Sequence, residues 1–335
     1  MQKKGKVTED TEEREGSIMQ TGMNAQVPAP AAAKPSTMMG RLVRNRWLYI
    51  MVLPGLLYFL VFKYWPMYGI FIAFKDYQPF LGFWDSPFVG LKHFERLFGD
   101  ADFLVLFRNT LILAAYNILF FFPLPIVVAL MLNELRHEIV KRIVQTLIYI
   151  PHFMSWVVVV GIAYIFLTTE GGLVNELLVR FGGEKINFLL SNEWFRTIVT
   201  AEVIWKETGW GTIIFLAALA GVDPQLYEAA RMDGANRLRQ LWHITLPAIR
   251  STIVILLILR LGNFLDTGFE QIFLMLNAMN REVGEVFDTY VYSVGISQGQ
   301  YSFSTAVGLF KSVIGLILVV VSNYLAKKFG EEGIY

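Results

Sequence analysis

The chain of 335 residues contains no cysteine. Disulfides, thiolate chemistry and cysteine-based metal sites are therefore excluded, and the redox compartment leaves no mark. Its four histidines, His93, His137, His152 and His243, are scattered among loops and helix ends. They read as ordinary interfacial polar residues, and no metal site is expected. No G-x-x-x-x-G-K-[S/T] stretch occurs, so the chain does not bind ATP through a P-loop. No H-E-x-x-H stretch occurs either, and no catalytic constellation is visible, so the chain is not expected to be an enzyme. Charge is scarce: 17% of residues are charged and the net charge is +1. That balance excludes a nucleic-acid partner.

Hydrophobic residues, by contrast, make up 55% of the chain. Apolar runs near 20 residues recur, which specifies an all-α protein threaded repeatedly through a lipid bilayer. Six spans are expected, at about 47–68, 110–132, 143–167, 196–220, 251–275 and 303–326. Pro54-Gly55 is a candidate kink in the first. Residues 1–40 are polar and Ala/Pro-rich with no apolar h-region, so they read as a disordered tail rather than a signal peptide. The six-span domain then occupies 41–335. Arg41, Arg44, Arg46, Arg136, Lys141, Arg142, Arg231, Arg237, Arg239, Arg250, Lys327 and Lys328 fall on one side of this topology. The positive-inside bias puts both termini and the 223–247 segment in the cytoplasm.

That segment is a charged interruption between two apolar runs. Asp223 is a candidate N-cap, with Pro224 at the first helical position. Gly234 supplies the left-handed stop. Asn236 can cap a second helix with Leu238, Leu241 and Trp242 on one face, and Pro247 reads as its breaker. An Ala-Ala face with an outward glutamate suits a helix seated in a partner's groove. A plain amphipathic loop on the membrane surface is the simpler alternative.

Ionisable residues inside spans default to functional hypotheses. Glu202 and Lys206 in span four are spaced to pair on their own helix. Glu207 lies ~16 Å below the outer start of span four, and Arg260 ~14 Å above the inner start of span five. Their depths coincide, so a buried Glu207–Arg260 ion pair is expected if the two helices are neighbours. In span five Asn263, Asp266, Thr267, Glu270 and Gln271 would form one polar helical face. With Glu202 and Trp205, and more weakly Tyr116 and Asn117, that face is a candidate wall for a solute path. The alternative is interhelical glue.

The pattern E-A-A, three residues, G, nine residues, I-x-L-P is filled by Glu228, Ala229, Ala230, Gly234, Ile244, Leu246 and Pro247. It resembles the signature of permease subunits of ABC importers. Residues from about 45 onward are similar to the carbohydrate-uptake branch associated with oligosaccharides and polysaccharide fragments. The stretches that carry this are L-P-G-L-L-Y-F, Y-G-I-F-I-A-F-K-D-Y, V-Q-T-L-I-Y-I-P-H-F, W-K-E-T-G-W-G-T and G-Q-Y-S-F-S-T-A-V-G-L-F-K-S-V-I-G. The resemblance implies a type I importer permease fold. It makes 223–247, including Asp233, a coupling segment that docks on a cytoplasmic ATPase. It further implies two ATPase subunits that bind ATP and Mg²⁺, an extracellular solute-binding protein, and a second, different permease forming a heterodimer. Other readings are the same architecture importing an amino acid or peptide, or an ATP-independent secondary carrier. The carrier reading would leave the Glu228 segment without a role.

Overall fold

A computed structural model describes residues 45–330 and Gly333. The polar tail over 1–40 lies outside the described residues, as do Arg41 and Arg44. The chain divides at Met67/Tyr68 into two units, each described here by itself. Among the described residues the secondary structure is helical apart from a single bridge between Lys75 and Phe88.

Among the described residues four helices are long and apolar enough to cross a membrane: α1 (Arg46–Phe74), α3 (Phe103–Glu134), α6 (Asn192–Ala220) and α11 (Tyr301–Lys328). The short α2 (Lys92–Gly99) precedes α3. Two further pairs pass the same test but are bent. α4 (Glu138–Phe153) meets α5 (Trp156–Leu167) at 102°. After the short α7 (Pro224–Met232), α8 (Arg237–Ala248) meets α9 (Arg250–Gly262) at 58°. α10 (Phe269–Met275) follows a break. The chain is thus a multi-pass membrane protein, with six crossings if each bent pair is one span.

In the first unit, helix continues straight through Pro54 to Phe59 with no interruption at Gly55. The irregularity comes later, as a π-turn at Leu60–Tyr64 just before Pro66. The same device recurs in the second unit. A π-turn at Asn117–Phe121 precedes Pro123, and another at Leu241–Thr245 precedes Pro247. In each, the residue before the proline donates its N–H five residues back: Trp65 to Leu60, Phe122 to Asn117, Leu246 to Leu241. A proline ring collides with the carbonyl four residues earlier in a regular helix. Widening one turn moves that carbonyl aside and keeps the backbone bonded. Pro247 therefore does not break its helix, contrary to the sequence expectation; the bend falls at Ile249, whose φ is −98°.

Two expected continuous spans are discontinuous. The 143–167 run breaks where Pro151 lacks an N–H and Met154 turns extended (φ −76°, ψ 142°). Ser155 then restarts the helix, its Oγ accepting from Val158 N. The 251–275 run ends at Gly262, turns through 263–268 and resumes after Gly268 at φ +89°. Asn263, Asp266 and Thr267 therefore lie in a turn and do not share a helical face with Glu270 and Gln271. N-F-L-D-T-G was a turn signal that mean hydropathy over the run concealed.

Three apolar cores hold the second unit. Leu113, Phe195, Val199 and Ile272 join α3, α6 and α10. Leu97, Leu106, Phe303 and Val307 join α2, α3 and α11. Ala129, Phe215, Leu219 and Ile249 join α3 and α6 to the start of α9.

Candidate functional site

The segment after α6 is built by its own caps. Asp223 accepts from Gln225 N at 2.9 Å and starts α7. Gly234 ends it at φ +75°, and Ala235 N donates back to Ala230 O at 2.8 Å. Asn236 accepts from Arg239 N at 2.9 Å and starts α8. Two side-chain bonds fold the segment on itself. Tyr227 Oη lies 3.0 Å from Thr245 Oγ1, and Gln240 Nε2 donates to Ala235 O at 2.8 Å. Arg237 reaches Glu134 at 2.7 Å and ties the segment to the end of α3.

No residue of α7 is buried. Glu228, Ala229, Asp233 and Gly234 are exposed, Ala230, Ile244 and Leu246 are half-buried, and Pro247 is exposed. Leu226, Met232, Leu238 and Trp242 are also exposed. The segment thus exposes apolar side chains together with the carboxylates of Glu228 and Asp233 and the guanidinium groups of Arg237 and Arg239. A cavity of about 870 Å³ beside it is lined by Glu134, Arg136, Tyr227, Arg231 and Arg237 among others.

The intramembrane charges are arranged differently from expectation. Glu207 and Arg260 do not pair. Glu207 Oε2 is 2.8 Å from His152 Nδ1 and its Oε1 is 3.5 Å from Lys206 Nζ. Arg260 Nη2 donates to Asn117 Oδ1 at 3.2 Å, and its guanidinium lies 5.3 Å from the Phe121 ring centroid. Equal depth does not bring the two groups together, because each is engaged by other partners. Glu202 and Lys206 do not pair either. Glu202 Oε2 accepts from Gln271 Nε2 at 2.6 Å. Lys206 Nζ donates to the carbonyls of His152 and Met154 at 2.6 and 2.8 Å. His152 is no bystander: it stacks on Trp210 with ring centroids 4.4 Å apart and planes 6° from parallel.

The expected polar wall divides. Gln271, Thr267, Glu202 and Asn117 are buried. Asn263, Asp266, Glu270 and Trp205 are exposed and Tyr116 is half-buried. Trp205 and Glu202 border an apolar groove of about 490 Å³ with Val159, Ile162, Phe166 and Trp194. Asn263 and Asp266 instead line a polar cavity of about 220 Å³ with Asp288, Lys311 and Ser312. Asp288 and Lys311 are ion-paired there. Sequence reasoning missed both. A lysine inside an apolar run, G-L-F-K-S-V, was the signal for one. No group of three or more His, Cys, Asp or Glu among the described residues could hold a metal ion.

Residues 121–331 match the family described as binding-protein-dependent transport system inner membrane component. The chain belongs to this family. Its coverage takes in the caps, the Gly234 turn and both bent pairs. The permease is 62% identical over 316 residues to the polygalacturonan/rhamnogalacturonan transport system permease protein YteP of Bacillus subtilis (strain 168), covering 93% of this chain and 98% of that one. It is 57% identical to protein LplB of the same organism, covering 92% and 97%. Among solved structures, a chain of a bacterial alginate ABC transporter in complex with an alginate pentasaccharide-bound periplasmic protein superposes with a TM-score of 0.82 at 39% identity. That match covers 89% of the permease and 99% of the other chain. The architecture is therefore that of an ABC importer permease.

Proposed function

We propose that this permease forms the membrane path for fragments of an acidic polysaccharide and takes its power stroke through the 223–247 segment. The observation that carries the coupling reading is α7: capped at both ends, without a buried residue, and set between two membrane-crossing elements. Glu228 is the middle residue of that helix and is exposed. It is free to make a charge-assisted bond with Arg or Lys in a groove of a separate ATPase. ATP and Mg²⁺ belong to that partner. The working assembly has two ATPase subunits, an extracellular solute-binding protein and a second permease of different sequence. Both termini face the cytosol, and the location is the cell membrane.

The substrate class rests on the likeness to a permease named for polygalacturonan and rhamnogalacturonan and to an alginate transporter. Asn263, Asp266, Glu270 and Trp205 are exposed and available to sugar hydroxyls and rings, and Tyr116 is half-buried. Gln271, Thr267, Glu202 and Asn117 are buried and stand outside that exposed set. An amino-acid or peptide importer of the same architecture would leave this likeness unexplained.

The experiment is ATPase copurification and uptake of labelled galacturonate and mannuronate oligomers in membranes. Glu228→Ala and Gly234→Leu should insert normally yet weaken docking or uncouple hydrolysis from uptake. Glu228→Lys should be worse, because it sets a like charge against the partner's cation. Wild-type docking and uptake for Glu228→Lys would remove the coupling assignment.

A further inference from the structure

Two buried charges on α6 take part in neither the coupling surface nor the exposed path. Glu202 and Lys206 stand one turn apart and are only 7% and 6% exposed. Ionisable groups in a membrane interior are costly and are held by polar partners; here the Glu202 Oε2 atom has one while its Oε1 has none. Each of these two is partnered by a different discontinuous neighbour. The carbonyls of His152 and Met154 lie at the α4–α5 break, where intrahelical donors run out. Lys206 supplies a donor to both. The ring of Trp156, the first residue of α5, lies 5.4 Å from the same ammonium. One lysine therefore touches both arms of the elbow. Glu207 and Trp210 hold the His152 ring from the adjoining turn. Glu202 does the matching job on the other broken span. Gln271 of α10 donates to Glu202 Oε2 at 2.6 Å and to Val199 O at 2.8 Å.

We propose that Lys206 and Glu202 are positioning residues of the transport stroke. They make α6 a single rod that carries both broken helices with it. The 29 residues of α6 are unbroken. Lys206 lies at the middle of that helix, ~21 Å from either end. Its inner end leads through Gly221, Val222 and Asp223 directly into α7. An elbow of 102° cannot pass an axial push along its own backbone. The α4 and α10 arms must be moved by lateral contacts; among the described residues these bonds, with the His152–Glu207 pair, are the polar ones, and the close approach of Gly209 to Ile148 adds a packing contact on α4. The proposal rests on α7 being the ATPase contact, but it is read out separately.

The test uses the assembled transporter in nanodiscs. Cysteines placed at Ile143 on α4 and Ile214 on α6, both exposed, carry spin labels. A second pair, Phe273 with Ile214, reports on α10. Distances are compared without nucleotide and with ATP–vanadate. With Lys206 and Gln271 in place, both distances should be the same in the two states. In Lys206→Met the first distance should change between states, and ATP hydrolysed per sugar imported should rise at least threefold. Lys206→Arg should restore both. Gln271→Leu should do the same to the second distance. A state-dependent distance in the labelled chain with both residues intact overturns the proposal. So does a Lys206→Met transporter with an unchanged ratio. If Lys206→Met does not assemble, the two-state comparison in the intact chain decides alone. Failure of the α7 assignment would appear instead as wild-type docking for Glu228→Lys, and would leave these distances unaffected.

Discussion

Gly209→Ala places the smallest possible addition at the tightest contact on α6. A Cβ built there lies 1.9 Å from the Ile148 carbonyl oxygen and 2.5 Å from its carbon. Both are backbone atoms of α4 and cannot rotate away. An ordinary C···O contact is about 3.3 Å, so the two helices must part by about 1.4 Å. Two bonds sit one turn or less away: Lys206 Nζ to His152 O at 2.6 Å and His152 Nδ1 to Glu207 at 2.8 Å. The same opening carries both past hydrogen-bonding range. Each bond to a charged group is worth roughly 1.5–3 kcal/mol, so the loss is roughly 3–6 kcal/mol. That is a large share of the about 5–15 kcal/mol that separates folded from unfolded domains. Gly161 in α5 is the control, since nothing lies within 4 Å of a Cβ there. Gly161→Ala should be neutral or stabilising by about 0.5–1 kcal/mol. The measurement is thermal unfolding of detergent-solubilised transporter, followed by uptake in membranes. Gly209→Ala should unfold several degrees lower than Gly161→Ala. Equal midpoints with normal uptake would refute the argument that α6 and α4 are locked by backbone contact.

The remaining predictions concern topology and the path. Because the chain has no native cysteine, Asn236→Cys should resist an impermeant thiol reagent in intact cells, whereas Phe181→Cys, 86% exposed, should react. Labelling of Asn236→Cys from outside would overturn the proposed orientation. Asn263→Ala, at an exposed turn, should leave the complex intact and lower sugar-stimulated ATP turnover. Gln271→Ala should instead destabilise the permease by about 1–3 kcal/mol, because Glu202 loses its donor in a buried site. A Gln271→Ala permease as stable as wild type, or an Asn263→Ala permease that fails to assemble, would show that burial has been misread as structural.

The parts of the architecture set by one-dimensional pattern were legible in the sequence. Asp223, Gly234 and Asn236 stand where capping chemistry demands them, and each makes the expected local bond or turn. The fixed spacing from Glu228 to Pro247 carried the family. What escaped was azimuth and interruption. Hydropathy averaged over about 20 residues cannot see the two-residue gap that Met154 and Ser155 open in an otherwise apolar run, although Pro151 and Ser155 were both present as signals. Depth arithmetic placed Glu207 and Arg260 at one level but could not say which way either points. His152 looked incidental because its partners Glu207 and Trp210 are 55 residues or more away in the chain.

The three wide turns ahead of Pro66, Pro123 and Pro247 alter how this chain must be indexed. Each inserts one residue per turn beyond the regular helix, and one residue of a helix subtends about 100°. Any helical wheel drawn through Asn117–Phe121 or Leu241–Thr245 is therefore out of phase on its far side. The turn at Leu241–Thr245 lies between the exposed Leu238 face and the bend into α9. Deleting a single residue there, together with replacing Pro247, would restore regular winding and swing everything before it through about 100° about the helix axis. The angular setting of the 223–247 segment about the helix axis thus depends on a count of residues as well as on the contacts that hold it.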